Sequence, residues 1–288
     1  MNSWGQPLPT CKPRPWRAGG RLLGGDRPLL MGIVNVTPDS FFDGGRYATF
    51  DAALAHAGKL HAEGADILDV GGESTRPSAQ PVPQEEELRR VIPLVRELAK
   101  RGAAVSIDTV KSSVARAALD AGAVIVNDIS AMTFDPMMLE VPQAFGAGVV
   151  LNHIRGKPQD MQKNPVYADA VGEVRAFLLE RIQTLAALGL SKDHIAVDPG
   201  IGFGKRVEDN YRLIASLEAF DSLGCPILLG MSRKSFIGKT PGLENSDRLI
   251  PSVALAVFAA LKGASILRVH DVKETREALR IIEAVRGL

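Results

Sequence analysis

The stretch His194–Arg206, HIAVDPGIGFGKR, governs how the rest of the chain is read, because an apolar strand ends in it on a carboxylate and opens directly into a glycine-rich loop. Ile195, Ala196 and Val197 have the composition of a buried strand, and Asp198 sits where that strand stops. Pro199 cannot continue a ladder, Gly200, Gly202 and Gly204 let the backbone come close to a ligand, and Phe203 offers a flat apolar face. A nucleotide-phosphate loop is a different pattern: it requires Gly where Pro199 stands and Ser or Thr where Arg206 stands. The plain alternative is an Asp198 that only caps the following turn.

Outward from this stretch, strands and helices alternate. Leu29–Val36 (LLMGIVNV) is a nearly continuous apolar run, the pattern of a strand covered on both faces, and it leads into a long loop, TPDSFFDGGRY. Ala53, Leu54, Ala57 and Leu60 recur at helical spacing across Asp51–Glu63, and Gly64 stops that helix. Further strands are expected at Asp66–Gly71, Ala103–Ile107, Val124–Val126, Gly148–Asn152, Ile195–Val197, Pro226–Leu229 and Ser265–Val269. Helices are expected between them at Gln84–Arg101, Lys111–Ala121, Pro136–Phe145, Tyr167–Leu188, Val207–Phe220 and Pro251–Lys262, and Val272–Val285 closes the chain. Eight strands, each followed by a helix, predict a single-domain α/β protein, a parallel (β/α)8 TIM barrel over residues 16–288 behind a loose, Pro-rich arm at residues 1–15. An open doubly wound sheet would place a Gly-rich turn after the first strand and an acid about 20 residues on, and LLMGIVNVTPDSF has no such turn.

Composition narrows the function classes. The 288 residues are 45% hydrophobic and 23% charged, enough apolar material for a full core. Lys plus Arg number 34 against 33 Asp plus Glu, and a net charge of +1 provides no general field for a nucleic acid. The longest purely apolar run, Val253–Leu261, is too short to cross a bilayer, and the first residues lack the apolar core of a secretory signal. Cys11 and Cys225 have no metal-ligand spacing and suggest no disulfide framework, so a cytoplasmic protein is expected.

A barrel of this kind builds its site where the strands end at their carboxyl side. Polar side chains stand at or just past those ends throughout: Asn35, Asp69, Asp108, Asn127, His153, Asp198, Arg233 with Lys234, and Arg268 with His270. Strand periodicity puts Arg268 and His270 on one face, with Leu267 and Val269 on the other. An Arg gripping phosphate oxygens beside a His that donates to them suits a diphosphate; the plain alternative is an Arg paired with a barrel carboxylate. Asp108, Asn127 and Asp198 offer two acids and one amide, a set suited to a flat heterocycle carrying ring N–H and amino donors. A paired-carboxylate hydrolase is the chemical alternative, but the basic residues on the same rim, with Asn35 as a candidate metal ligand, fit a departing diphosphate better.

The segments Met31–Phe41 (MGIVNVTPDSF), Asp69–Pro77 (DVGGESTRP), Ser106–Thr109 (SIDT), Val126–Ser130 (VNDIS), Asp198–Lys205 (DPGIGFGK), Ser232–Gly238 (SRKSFIG) and Arg268–His270 (RVH), in this order, resemble dihydropteroate synthases. The resemblance runs from about Leu22 to the C-terminus. It implies a transferase of folate biosynthesis that joins 4-aminobenzoate to (7,8-dihydropterin-6-yl)methyl diphosphate by a dissociative route with Mg²⁺. It assigns the pterin to Asp108, Asn127, Asp198 and Lys234, with Ile129 and Arg268 against the ring faces and Phe203 beside them. It assigns the diphosphate to Asn35, Arg76, Arg268 and His270, the Mg²⁺ to Asn35, and aminobenzoate to Thr75, Pro77, Phe203, Lys234 and Ser235. Asp108, Lys234, Arg268, His270 and Arg76 form the implied catalytic set, with Asp108 stabilising the cation. Sulfonamide inhibition and a homodimer through the C-terminal helices are further implications of the resemblance.

The loops TPDSFFDGGRY, which contains Phe41, and ESTRPSAQPVPQ are too long for simple connectors and are expected to close as lids that keep water from the cation. Three positions depart from the family pattern: Asn152 in a wall of the pterin pocket where Met is usual, Phe42 where Ser is usual, and Ser78 where Gly is usual. The competing function is a pterin-binding module of the methyltetrahydrofolate-binding type. Such a module needs neither Thr75–Arg76, nor Ser232–Ser235, nor the Arg268/His270 pair, because no diphosphate leaves it.

Overall fold

Apolar runs covered on both faces need a sheet with helices outside and packed side chains within. A computed structural model describes residues 12–36, 45–77 and 79–286, and the expected TIM barrel is what these residues form. The chain enters through an antiparallel hairpin, β1 (Trp16–Ala18) and β2 (Arg21–Leu23), that the sequence reading left unassigned. The barrel strands are β3 (Leu29–Asn35), β4 (Ile67–Gly71), β5 (Ala104–Asp108), β6 (Ile125–Asp128), β7 (Gly148–Asn152), β8 (Ile195–Asp198), β9 (Leu228–Leu229) and β10 (Ile266–Val269). They pair in parallel in the order β8-β7-β6-β5-β4-β3-β10-β9, and a bridge between Val197 and Ile227 brings the two edges together. β9 has two residues, and just before it the Pro226 carbonyl accepts from the Val197 N–H at 2.9 Å.

The helices are α1 (Gly45–Ala62), α2 (Gln84–Lys100), α3 (Ser112–Asp120), α4 (Val141–Phe145), α5 (Ala170–Ala187), α6 (Val207–Ala215), α7 (Leu249–Leu261) and α8 (Val272–Arg286). Two expected helices are subdivided. Residues 136–145 form a 3-10 turn, Pro136–Glu140, before α4, and α6 stops at Ala215, after which Leu217–Leu223 tighten into 3-10 geometry. Among the described residues no helix is long and apolar enough to cross a membrane.

The barrel interior is layered by the pleat. Met31, Ile67, Ala104, Ile125, Val150, Ala196, Leu228 and Ile266 form one apolar cluster with Trp16, a side chain with no exposed surface. Trp16 donates from Nε1 to the His194 carbonyl at 2.9 Å, so the hairpin plugs the floor. Of the expected loose arm, residues 1–11 lie outside the described residues, and Arg14 is not loose. Its backbone N–H donates to Ser265 Oγ at 3.0 Å, and its guanidinium meets Asp221 at 2.8 Å. Two residues further along each barrel strand come Ile33, Asp69, Ser106, Asn127, Asn152, Asp198, Gly230 and Arg268. A strand repeats its facing every second residue, so this almost wholly polar set sits directly above the apolar layer.

Candidate active site

Asp69 is the hub of that polar layer. Its Oδ2 accepts from Asn127 Nδ2 at 3.0 Å and from Arg268 Nε at 2.6 Å, while Arg268 Nη2 reaches Asp108 Oδ2 at 2.8 Å. Arg268, Asp108 and Asn127 therefore converge as expected, but the diphosphate-gripping fork is divided between two carboxylates, so Arg268 has Nη1, the second N–H of Nη2 and its flat face left for a ligand. Burial pushes the Asp108 carboxyl up to about 7 against the pull of Arg268, and neighbouring Asp69 adds to the rise.

Asp198 ends β8 directly opposite Asn152 of β7. Its Oδ1 accepts from the Gly200 N–H at 2.7 Å, which the turn at Pro199 and the positive φ of Gly200, 72°, bring back over the strand end. Burial raises the Asp198 carboxyl, opposed by Lys234 and by that N–H, and the Arg268 charge also reaches it. Lys234 donates to the Ile201 carbonyl, and its Nζ lies 4.3 Å from the centre of the Phe203 ring. Burial lowers the Lys234 ammonium to about 8, against the favourable charge of Asp198.

The loop Gly200–Gly204 is held from beneath by Lys205. Its buried Nζ donates to the carbonyls of Gly200 at 2.8 Å, Phe203 at 3.1 Å and His153 at 3.3 Å, and lies 3.0 Å from His153 Nδ1. This amine faces its own loop, which is a second reason the segment is no phosphate loop. Burial drives Lys205 well below its ordinary value and His153 down to about 2. His153 is thus a neutral structural ring and does not belong to the mouth, as its place at a strand end had suggested. Arg233 also turns away, to Asp271 at 2.7 Å.

His270 rests with Nδ1 3.1 Å from Ser232 Oγ; burial, then the charge of Arg268, lowers it to about 4, and Arg76 adds to the effect from the loop after β4. At neutral pH it is an uncharged ring with a single N–H. A cavity of about 370 Å³ is lined by Asp108 and Ile129 together with Thr75, Lys111 and Phe134. A second cavity, of about 300 Å³, lies outside Gly202 and Ser235. Thr75 therefore sits on the Asp108 side, whereas Phe203, Lys234 and Ser235 gather on the Asp198 side, and Pro77 is exposed on its loop. Both ends of that loop are tied by Glu73, whose Oε2 accepts from the Val82 N–H at 3.0 Å and from Lys111 Nζ at 2.6 Å.

Asn35 ends β3 half-buried, offering a neutral oxygen donor. A hard divalent cation that keeps most of its waters and takes one or two protein oxygens plus phosphate fits such a donor. Among the described residues no three His, Cys, Asp or Glu side chains gather into a metal site. The lid residues Phe41 and Phe42, with the rest of residues 37–44, lie outside the described residues, as does Ser78. Asn152 does not leave a loose polar wall: its Nδ2 donates to the Ile129 carbonyl at 2.7 Å and so steadies the residue expected against the ring. The sequence reading gave Asp69 and Lys205 no role. For Asp69 the signal was present, since it stands two residues beyond the apolar layer, in phase with Asn127 and Arg268.

Known proteins resemble this chain over most of its length. The family described as Pterin binding enzyme matches residues 31–270. Dihydropteroate synthase of Escherichia coli K12 is 47% identical over 268 residues, covering 93% of this chain and 95% of that protein. The Yersinia pestis dihydropteroate synthase solved in a sulfonamide drug complex superposes with a TM-score of 0.89 at 44% identity, covering 95% of this chain and 100% of that one. The Burkholderia cenocepacia enzyme complexed with 7,8-dihydropteroate gives 0.88 at 45% identity, covering 96% and 98%.

Proposed function

The chain belongs to the dihydropteroate synthases, within the pterin binding enzymes, and from that membership we propose how its residues divide the work. It is a transferase of folate biosynthesis that joins 4-aminobenzoate to (7,8-dihydropterin-6-yl)methyl diphosphate, giving 7,8-dihydropteroate and diphosphate, and sulfonamides are its inhibitors. The observation that carries the division is the polar cluster at the strand ends in which Arg268 bridges Asp69 and Asp108 beside Asp198 and Lys234.

Asp198 takes ring N–H and amino donors with its Oδ2, Oδ1 being committed to Gly200. Asn127 reads the adjoining ring edge, Ile129 covers one face of the ring, and the guanidinium of Arg268 lies flat against the other. Lys234, close to Phe203, donates to ring acceptors, and aminobenzoate lies along Phe203 and Ser235, with Thr75 and Pro77 closing from the second loop. The methylene C–O bond breaks, the electron pair leaves with the diphosphate, and the cation is delocalised into the ring. The neutral aryl amine then attacks and loses its proton. Asp108, adjacent to Arg268, stabilises the cation. Arg76, the N–H of His270 and Nη1 of Arg268 receive the growing negative charge. Asn35 would hold Mg²⁺, which would supply Lewis-acid stabilisation of that leaving group when bound.

A cytoplasmic setting fits the buried free thiol of Cys225. A homodimer is supported by the apolar side chains that α7 and α8 expose, among them Ile250 and Ile281. The reading is tested by incubating the purified protein with dihydropterin diphosphate, 4-aminobenzoate and Mg²⁺: dihydropteroate and diphosphate should appear in equal amounts, and a folded protein that yields neither refutes it.

A further inference from the structure

We propose that Asp69 is the positioning residue of the ring site, a carboxylate that never touches substrate but sets the orientation of the Asn127 amide and the plane of the Arg268 guanidinium through one shared oxygen. The inference rests on the assignment of Asn127 and Arg268 to the pterin.

An Asn side chain is nearly symmetric in shape but opposite in chemistry at its two ends, so its orientation has to be imposed by a neighbour. A carboxylate accepts and cannot donate. Asp69 Oδ2, 3.0 Å from Asn127 Nδ2, therefore fixes the NH2 end towards the barrel interior. Asn127 Oδ1 and its second N–H are left, in fixed order, for the ring edge. The same oxygen accepts from Arg268 Nε at 2.6 Å while Asp108 takes Nη2, and two anchors on one planar group leave it no rotation. Arg268 is thereby kept as a flat surface and cannot swing out after the diphosphate.

The rest of the layer argues that Asp69 is not there for stability. It has no exposed surface, and among the described residues its Oδ1 has no hydrogen-bond partner, nor has Ser106 Oγ on the residue paired with it across the ladder. A buried charge satisfied on one oxygen only is a poor stabiliser compared with packed apolar atoms. What it supplies is geometry for two ligand-facing groups.

The test compares Asp69→Asn and Asp69→Ser with the parent protein, reading kcat/KM for each substrate between pH 5.5 and 9, with folding checked by circular dichroism. Asp69→Asn should lose roughly tenfold in kcat/KM for the pterin diphosphate. The KM for aminobenzoate should stay within about twofold. The acid limb should also move down by about one pH unit, because Asp108 loses a negative neighbour. Asp108 is faced by Arg268 of β10, Asp69 of β4, Glu87 of α2, Asp128 of β6 and Lys234 after β9, and the substitution removes one of these charges only, that of Asp69. An unmoved limb, equal losses for both substrates, or failure of both variants to fold overturns the proposal. A parent protein that makes no dihydropteroate refutes the functional reading instead, and the two failures are distinct.

Discussion

Replacing Asp198 by Asn removes one charge and changes no shape, and the structure dictates which way the new amide must point. The Gly200 N–H, 2.7 Å from Asp198 Oδ1, still requires an acceptor, so the carbonyl of the amide takes that place. The NH2 then falls where Oδ2 was, with donors facing the ring's own donors. One charge-assisted hydrogen bond is lost, worth about 1.5–3 kcal/mol, and a buried donor is left unpaired at a further 1–3 kcal/mol. Binding of a bare pterin should weaken by roughly 10²–10⁴-fold. Unfolding is not the explanation to fear, because burial already raises the Asp198 carboxyl and a neutral group there relieves that penalty. The melting temperature should stay within about 3 °C of the parent, the shift that ~1 kcal/mol produces at this size. Titration calorimetry with the pterin and a thermal melt measure the two quantities side by side. A dissociation constant within threefold of the parent would mean that Asp198 does not read the ring.

With Asp108 raised to about 7, the catalytically useful carboxylate is lost as pH falls through that value, so kcat/KM for the pterin diphosphate should drop roughly tenfold per unit below it. Stability should run the other way. The folded values of Asp108 and Asp128, about 7 and about 6, lie above the unfolded ones, so their contribution is complete in acid and is lost as pH rises towards 7, which melts at pH 5 and pH 8 would show against the background of the other groups. Gly200→Ala combines a φ of +72° with a Cβ 1.8 Å from the His153 carbonyl oxygen; it should cost about 3–5 kcal/mol in urea unfolding, and a loss under ~1 kcal/mol would show that the loop can move away. Trp16→Ala empties the barrel floor and should cost about 3–5 kcal/mol of stability with both KM values unchanged, since the site is at the other end; altered KM values would refute that separation.

The alternation of strands and helices was legible in the chain because both periods are local: each run of apolar residues declares its own element. The boundaries blurred where a local rule was overridden, at β9 after Pro226 and at α6, where the chain tightens beyond Ala215. The hairpin at Trp16 was missed because three-residue strands carry no readable alternation, and only the open end of a barrel makes a Trp there a plug.

What the sequence determined by itself was the barrel, its polar rim and the family to which those spaced motifs point, since each depends on residue order and on the two-residue repeat of a strand. Tertiary structure decided how the rim is wired. It divided Arg268 between Asp69 and Asp108, turned Lys205 under its own loop, withdrew His153 from the mouth and gave Asn152 the Ile129 carbonyl. A hydrogen bond between residues 199 positions apart, as between Arg268 and Asp69, exists only because the last barrel strand pairs with the first, β10 with β3 beside β4, and nothing in either residue's neighbourhood along the chain encodes it.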